Sequence, residues 1–301
     1  MLSYTSKPEN IHTSNGISIN SFLKEKEDNF DKETVKSFGE EWTKFKNFSE
    51  AELQKAGEQY FDIVTPAMLN KESTVLDVGC GMGRWSYFIA DRVKFIEAID
   101  PSKAALSAAE YTKKKHNIRV TQAGVDYIPF ADNTFDFVFS LGVLHHVPNT
   151  EEAIIKSVKK VKSGGCFLIY LYYSLDNRGL LFKLLFKASD LLRNIIYRLP
   201  APLKRFTCDV LAFCIYLPFV FVSLILKKLL PKSALYKKVP LSYYHDKGIQ
   251  IIRNDSLDRF GTPLEQRFSR KQIEQMLKKA GLTDIVFSEH EPYWHAVGRK
   301  A

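Results

Sequence analysis

The chain has 301 residues, of which 45% are hydrophobic and 26% are charged, proportions that are ordinary for a folded globular protein. This length can bury a full core, either as one domain with a large insertion or as two domains. The four cysteines form no CxxC pair and have no histidine cluster nearby, which excludes a zinc site and a disulfide framework.

These cysteines, at positions 80, 166, 208 and 214, are therefore expected to be reduced thiols, as in cytosolic proteins. The N-terminal residues MLSYTSKPENIHTSNG lack the apolar stretch of a secretory signal, which favours a cytoplasmic location. No group of side chains has the spacing of metal ligands, so no metal is expected.

The N-terminal region is predicted to be helical. Residues 1–20 are polar and are expected to be loose, whereas residues 22–70 show a helical pattern with Phe38, Trp42 and Phe45 on one face. Phe38 and Trp42 either belong to the core side of an amphipathic helix or contact a substrate from an N-terminal cover. The pattern alone does not separate these two interpretations.

Strands and helices then alternate. The predicted strands are Thr74–Val78, Phe95–Ile99, Ile118–Gln122, Phe135–Ser140, Cys166–Tyr172, Thr283–His290 and Tyr293–Arg299. Between and after them lie the predicted helices Gly83–Asp91, Ser102–His116 and Thr150–Val161, and a further helix that starts at the capping box Ser269/Gln272. The fold class is therefore α/β, with a Rossmann-like, mostly parallel seven-stranded sheet, helices on both faces and a terminal antiparallel hairpin.

A glycine-rich turn follows the first of these strands. The segment VLDVGCGMGRWS places an acid, Asp77, before Gly79, Gly81 and Gly83, and a helix begins near Arg84. Glycines at these positions let the backbone approach a ligand closely, and the first turn of a helix offers free N–H groups to an anionic group. The turn is typical of a site for a nucleotide-like ligand.

The turn does not fit a dinucleotide. The fingerprint G-x-G-x-x-G would require glycine at position 84, where Arg84 stands, and the negative charge of Asp77 would repel a phosphate. The next strand ends at Asp100, where a carboxylate can accept the two hydroxyls of a ribose; capping of the following helix is the alternative role. A nicotinamide-dependent oxidoreductase stays the second choice.

Two further motifs follow, Asp126-Tyr127-Ile128-Pro129-Phe130 and the run DNTFDFVFSLGVLHHV. Together with DVGCGMG they resemble the class I S-adenosylmethionine-dependent methyltransferases, in particular the small-molecule enzymes with LPF, FD and HH motifs. The resemblance is strong over residues 70–172. It implies a methyltransferase that uses S-adenosyl-L-methionine.

The resemblance also implies roles for single residues. Asp77 would order the glycine turn and the methionine amino end, and Asp100 would hold the ribose. The other cofactor-binding positions are Gly79, Gly81, Gly83, Arg84 (toward the cofactor carboxylate), Val125, Asp126 and Leu141. Gly124 stands where the family often has an aspartate for the adenine, so adenine recognition is expected to use Asp126 or backbone groups.

His145 and His146 follow the fourth predicted strand, at the sheet edge where substrates enter, and one of them can act as a general base. Structural packing is the alternative, because this pair accompanies the family in general. Tyr172 and Tyr173, at the end of the fifth strand, are further candidates to line the acceptor site. The segment Glu291 to His295 is a third candidate.

The charge of the chain is concentrated in residues 174–247, which contain thirteen Lys or Arg and four Asp and thus carry the entire net charge of +9. The segment is rich in Leu and Phe, and LLFKLLFKASDLL at residues 180–192 interleaves them with lysine. It is predicted to be helical and to contact an anionic membrane surface, with a soluble lid or a dimer surface as alternatives. Nucleic acid is not expected, because the charges alternate with aliphatic residues.

The sequence thus predicts four parts: an N-terminal helical cover (1–70), a cofactor-binding core (71–173), a basic apolar insertion (174–247) and the C-terminal completion of the core (248–301). The predicted reaction is methyl transfer to a small-molecule or lipid-linked acceptor, with oxygen slightly favoured as the methylated atom. Methylation of nitrogen or carbon in an amphiphilic acceptor is the alternative. The expected location is the cytoplasm, with peripheral membrane association.

Overall fold

A computed structural model describes residues 2–14, 16–24, 29–42, 49–176, 179–245 and 247–301 of the protein. Its strands are β1 Asn10–Ser14, β2 Ile17–Ser21, β3 Thr74–Val78, β4 Phe95–Asp100, β5 Ile118–Gln122, β6 Phe135–Leu141, β7 Val161–Tyr170, β8 Leu282–Phe287 and β9 His295–Lys300. Its α-helices are α1 Lys32–Trp42, α2 Glu50–Tyr60, α3 Arg84–Ile89, α4 Ala104–Thr112, α5 Thr150–Lys159, α6 Leu180–Ile196, α7 Ala201–Leu211, α8 Leu217–Leu229, α9 Ile249–Gly261 and α10 Arg270–Lys279.

The chain divides into two compact units. The first comprises Met1–Asp176 and Leu264–Ala301, and the second comprises Asn177–Pro263. The insertion was predicted to end at residue 247, and this boundary is wrong. The second unit extends to Pro263 because α9 packs on α6 and α7, so the C-terminal completion of the core starts at Leu264 rather than at residue 248.

The first unit is a nine-stranded sheet with the order β1-β2-β5-β4-β3-β6-β7-β9-β8. The strands β5, β4, β3, β6 and β7 are parallel, and β9 and β8 form the predicted antiparallel hairpin at one edge. Apolar side chains on both faces of the central strands are buried under helices, as a parallel sheet requires. The predicted Rossmann-like class is confirmed.

The N-terminal hairpin of β1 and β2 adds two strands to the seven predicted, which corrects the expectation that residues 1–20 are loose. Ser21 pairs with Gln122 in parallel, and Ile19 and Phe22 are buried. The alternation of ISINSF over residues 17–22 is a strand pattern, which the polar neighbours obscured. The predicted cover therefore contains strands besides α1 and α2, and the position of Phe45 lies outside the described residues.

Two boundaries near β7 also differ from the prediction. The helix predicted over Thr150–Val161 ends at Lys159, and the side chain of Asn149 caps its start by accepting from the N–H of Glu152 at 3.1 Å. β7 begins at Val161 instead of Cys166, and Gly164 lies inside the strand at a φ of +79°. The register shift between Phe135 and Phe137 accommodates this irregularity.

The second unit is helical. The segments α7 and α8 join through a π-turn at Ala212–Tyr216 into one helix, Ala201–Leu229, of 29 residues. Its buried residues Cys208, Ala212 and Tyr216 recur every four positions and pack with Ile252 and Phe260 of α9.

Candidate active site

The glycine turn connects β3 to α3 as predicted. Gly79, Gly81 and Gly83 have φ of +80°, +55° and +82°. A Cβ at position 79 would also lie only 2.3 Å from Cγ1 of Val143, so both conformation and space require glycine there. The N–H groups of Gly79 and Cys80 donate to the carbonyl of Ile99, which ties the turn to the end of β4.

Asp77 lies under this turn and is 1% exposed. The hydroxyl of Ser86 donates to its carboxylate at 2.7 Å, which connects the end of β3 to α3. Burial raises the pKa of Asp77 to about 8, and the nearby charge of Asp100 adds to the rise. A cationic ligand beside this carboxyl would stabilise its ionised form.

Asp100 ends β4 and is 8% exposed. One carboxylate oxygen accepts from the N–H of Gly81 at 2.9 Å, and the other accepts from the N–H and hydroxyl of Ser102 at 2.8 and 2.6 Å. Burial raises the pKa of this carboxyl as well. Asp100 thus both anchors the glycine turn and places a carboxylate beside it, where the oxygen that accepts from Gly81 has a further lone pair for a ligand hydroxyl.

The pKa of Asp77 leads to a testable pH dependence. Binding of the positively charged S-adenosylmethionine at pH 7 should release most of one proton from this carboxyl, because a group with a pKa of about 8 is mostly protonated there. Calorimetric titrations in two buffers with different ionisation enthalpies measure this number. Asp77→Asn should bind more weakly and release none; absence of proton release from the unmodified protein would contradict the assignment.

The same shift has a consequence for stability without ligand. Since the folded-state pKa is raised above the ordinary 3.8, Asp77 favours the folded state most at low pH. Its contribution is lost as the pH rises toward about 8. The melting temperature of Asp77→Asn should therefore depend less on pH between 5 and 8 than that of the unmodified protein.

The predicted adenine contacts lie in a short 3₁₀ turn. Val125 is buried in this turn. Both carboxylate oxygens of Asp126 have protein partners: one accepts from the N–H of Asn29 at 2.7 Å and the other from Lys156 Nζ at 2.9 Å. Asp126 thus connects the N-terminal region to α5, and its contact with adenine stays a prediction.

The two other predicted cofactor residues lie at element ends. Arg84 is the first residue of α3, and its guanidinium carbon is 4.5 Å from the ring centre of Trp85. Leu141 is the last residue of β6 and is buried. Both residues lie at the carboxyl edge of the sheet, where the predicted contacts require them. Their contacts with the cofactor stay predictions.

The histidine pair forms a 3₁₀ turn directly after β6. His145 is fully buried, and neither of its ring nitrogens has a hydrogen-bond partner among the described residues. Its ring stacks on Tyr172 at 3.9 Å. Burial, with the nearby His146 and Arg267, holds the pKa of His145 well below its ordinary value, so the imidazole is neutral at pH 7.

His146 is held more firmly than His145. Its Nδ1 lies 2.7 Å from the carbonyl oxygen of Leu264, and Phe38 of α1 packs on its ring at 4.7 Å. The neighbouring Gly39 packs closely on Ser102, beside Asp100. The helix α1 therefore extends from the Asp100 side of the site to the histidines, and a contact of Phe38 with a substrate stays a prediction.

The remaining predicted substrate residues do not all lie beside the histidines. Tyr172 joins the histidines, whereas Tyr173 pairs with Phe268 and packs on Tyr293 at 5.8 Å. The side chain of Trp42 lies outside the described residues. The segment Glu291 to His295 is anchored: Trp294 Nε1 donates to Asp176 at 2.9 Å, and His295 lies 2.7 Å from Asp62.

The segment from Leu264 to Phe268, which follows the second unit, was not predicted to lie at the site. The N–H of Gln266 donates to the carbonyl of His145 at 3.0 Å. The guanidinium of Arg267 lies 5.0 Å from the ring centre of Tyr172 and 2.7 Å from Glu265. These residues have no helical or strand periodicity, so the sequence gives no signal that they position the histidine turn.

Tyr60 and Tyr170 extend the same aromatic wall. Tyr60 packs on Trp85 at 4.8 Å and on Tyr170 at 5.1 Å, and Tyr170 lies 5.9 Å from Tyr172. The wall thus runs from the glycine turn to His145. Within the described ranges no group of three or more His, Cys, Asp or Glu could hold a metal ion.

Comparison with known proteins agrees with this geometry. Residues 76–169 match the family described as "Methyltransferase domain". The chain is 30% identical over 112 residues to the tRNA U34 carboxymethyltransferase of Aliarcobacter butzleri, covering 36% of this chain and 37% of that protein. It is 35% identical over 103 residues to phosphoethanolamine N-methyltransferase 2 of Caenorhabditis elegans (33% and 24%) and 36% identical over 99 residues to the demethylmenaquinone methyltransferase of Bacillus licheniformis (32% and 43%).

Residues 76–169 therefore form a methyltransferase domain. This agrees with the predicted class I family and with S-adenosylmethionine as the cofactor of the domain. The aligned stretch spans less than half the length of each of these relatives. Their names give different acceptors, so the acceptor of this chain has to be argued from its own residues.

Proposed function

We propose that the protein transfers the methyl group of S-adenosylmethionine to a small-molecule or lipid-linked acceptor, most readily to an oxygen atom. The observation that carries this proposal is His145, a buried neutral imidazole whose ring nitrogens lack partners in the described chain. A buried polar ring without hydrogen bonds is costly, so a bound acceptor that supplies one is favoured.

The residues fit the cofactor. Gly79 leaves the space that a Cβ would fill, Asp100 has a lone pair left for a ribose hydroxyl, and Asp77 is a carboxyl that a cationic ligand would ionise. When bound, S-adenosylmethionine supplies an activated methyl group on a positively charged sulfur. The protein then has to position the acceptor and remove its proton.

His145 performs the proton transfer in this proposal. The acceptor hydroxyl forms a bond to the methyl carbon, the carbon–sulfur bond breaks, and the hydroxyl proton moves to a ring nitrogen of His145. Tyr172 keeps the imidazole plane fixed by stacking at 3.9 Å. A general base of this kind favours an acceptor that must lose a proton, such as a hydroxyl or a protonated amine, over an acceptor that reacts without losing one.

The second unit supports an amphiphilic acceptor. Of the large apolar side chains that are exposed in the described chain, all but Ile11 and Val286 lie in this unit. An apolar surface of this extent is typical of a protein that meets lipid or another partner. We include in the proposal a cytoplasmic protein that associates peripherally with an anionic membrane, where quinone precursors or lipid-linked sugars are available as acceptors.

The experiment is an incubation of the protein with methyl-labelled S-adenosylmethionine and three separate acceptor fractions: a lipid extract, polar small molecules and tRNA. Label is expected in the lipid extract or in an amphiphilic small molecule, and the product mass and fragmentation identify the methylated atom. The tRNA arm is included because some relatives carry tRNA in their names. Labelling of tRNA alone would overturn the proposal.

A further inference from the structure

The helix α8 has an unusual surface. Its sequence, LPFVFVSLILKKL, is apolar on all sides up to Lys227, and within it only Val220 and Ser223 are buried. Phe219, Phe221, Val222, Leu224 and Ile225 are exposed by 36 to 64%. A helix that is apolar all round is stable when it is surrounded by other apolar groups, and here the described chain does not supply them.

Polar pairs join the helices of the second unit beside its buried apolar cluster. Arg253 of α9 pairs with Asp209 of α7 through two hydrogen bonds of 2.8 Å, and Tyr216 donates to Asp255 at 3.2 Å. Arg259 of α9 is 9% exposed and donates to Ser189 of α6 at 2.9 Å. These pairs and the cluster around Ile252 and Phe260 hold the helices together, so the exposed apolar side chains of α8 are available to lipid.

The outer face of α6 has an exposed apolar arc that is bordered by lysines. At about 100° per residue, Leu180, Leu184, Leu191 and Ile195 fall on one narrow arc of the helix, and all four are exposed. Lys183 and Lys187 lie beside this arc and are also exposed. Lysines that border an apolar arc are typical of a helix lying in the plane of a membrane surface.

Crossing the bilayer is disfavoured, although the helix Ala201–Leu229 is long enough and contains an 18-residue window with a mean hydropathy of 2.3. Asp209 of α7 pairs with Arg253 of α9, and that ion pair cannot be surrounded by hydrocarbon. The uncharged part that remains, residues 210–226, has 17 residues. At 1.5 Å per residue it extends about 26 Å, which is shorter than the ~30 Å hydrocarbon core.

Charge identifies the kind of membrane. No Asp or Glu occurs from residue 210 to residue 245, whereas five lysines follow one another from Lys227 to Lys238. Lys227, Lys228 and Lys232 are exposed at and after the C-terminal end of α8. A run of lysines without acids beside an apolar helix is complementary to negatively charged lipid headgroups.

We propose that the second unit embeds the outer faces of α6 and α8 in one leaflet of an anionic bilayer, in the membrane plane and without crossing it. Both ends of the helix Ala201–Leu229 then stay on the protein side of the membrane. This proposal does not depend on the identity of the methyl acceptor, and its test does not use methyl transfer.

The test measures flotation of the full-length protein with preformed vesicles of phosphatidylglycerol and phosphatidylcholine. Phe219→Asp/Phe221→Asp/Ile225→Asp should weaken binding at least about tenfold, whereas Ile11→Asp, which alters an exposed apolar residue of the first unit, should not. Lys227→Glu/Lys228→Glu should weaken binding roughly thirtyfold at low salt. The charge-matched control Lys71→Glu/Lys114→Glu should retain binding.

Topology is tested on sealed vesicles with single cysteines at Leu203 and at Leu230, introduced into a protein whose four native cysteines are replaced by serine. A membrane-impermeant thiol reagent added outside should label both positions. Protection of one position until the vesicles are opened would show a spanning helix and overturn the in-plane arrangement. Equal binding to neutral and anionic vesicles would overturn the anionic membrane as the partner. The same holds if the protein binds no vesicles and forms a dimer in solution that Phe221→Asp dissociates.

Discussion

Asp100→Ala is expected to lower the affinity for S-adenosylmethionine by at least about 100-fold. A hydrogen bond to a charged group contributes about 1.5–3 kcal/mol, and this carboxylate is proposed to accept one from a ribose hydroxyl. The substitution also removes the acceptor for the N–H of Gly81 and for Ser102, which loosens the glycine turn. Isothermal titration calorimetry with S-adenosylmethionine and S-adenosylhomocysteine measures the change.

Two variants serve as controls for this prediction. Asp132→Ala removes an acid that is paired with Lys160 in an exposed turn, and it should leave the affinity unchanged. Asp100→Asn keeps an oxygen acceptor and should lie between the alanine variant and the unmodified protein. A folded Asp100→Ala protein with unchanged affinity would contradict the ribose assignment.

His145→Ala is expected to lower kcat by about 10²–10⁴ while cofactor affinity stays within about twofold, because a positioned general base contributes that much to a proton transfer. The acceptor fraction that becomes labelled provides the substrate, and formation of S-adenosylhomocysteine provides the rate. His116→Ala, in an exposed loop, is the matched control.

The pH profile separates a base from a packing residue. Since the pKa of His145 is held well below its ordinary value of 6.5, the neutral form should dominate and kcat/KM should already be at its plateau at pH 6.5. Arg267→Met removes a positive charge near this ring, so it should move the acidic limb of the profile to higher pH. A loss of less than about threefold in His145→Ala would contradict the role of base.

Local rules predicted the core well. The strand Thr74–Val78, the positive φ of Gly79 and the capping box Ser269/Gln272 all follow from side-chain types at fixed spacing, and the structure has them as predicted. The place of Asp100 at the end of a parallel strand follows from the same order of elements. These features depend on residues that are near one another in the chain.

Features that depend on distant residues were not predictable. The partners of Asp126, Asn29 and Lys156, lie 97 and 30 positions away. Leu264 to Phe268 reaches the histidine turn only because the second unit is inserted between Asp176 and Leu264, and the end of that unit depends on α9 packing on α7. The apolar composition of α8 was visible in the sequence, but the ion pair of Arg253 with Asp209, 44 positions away, was not.

The most direct test of the account is equilibrium dialysis of the protein against radiolabelled S-adenosylmethionine, with S-adenosylhomocysteine and NAD as competitors. The account predicts saturable binding of one molecule per chain, displaced by S-adenosylhomocysteine and unaffected by NAD. Displacement by NAD, or no saturable binding by a folded protein, would contradict the central claim that the glycine turn and Asp100 form an S-adenosylmethionine site.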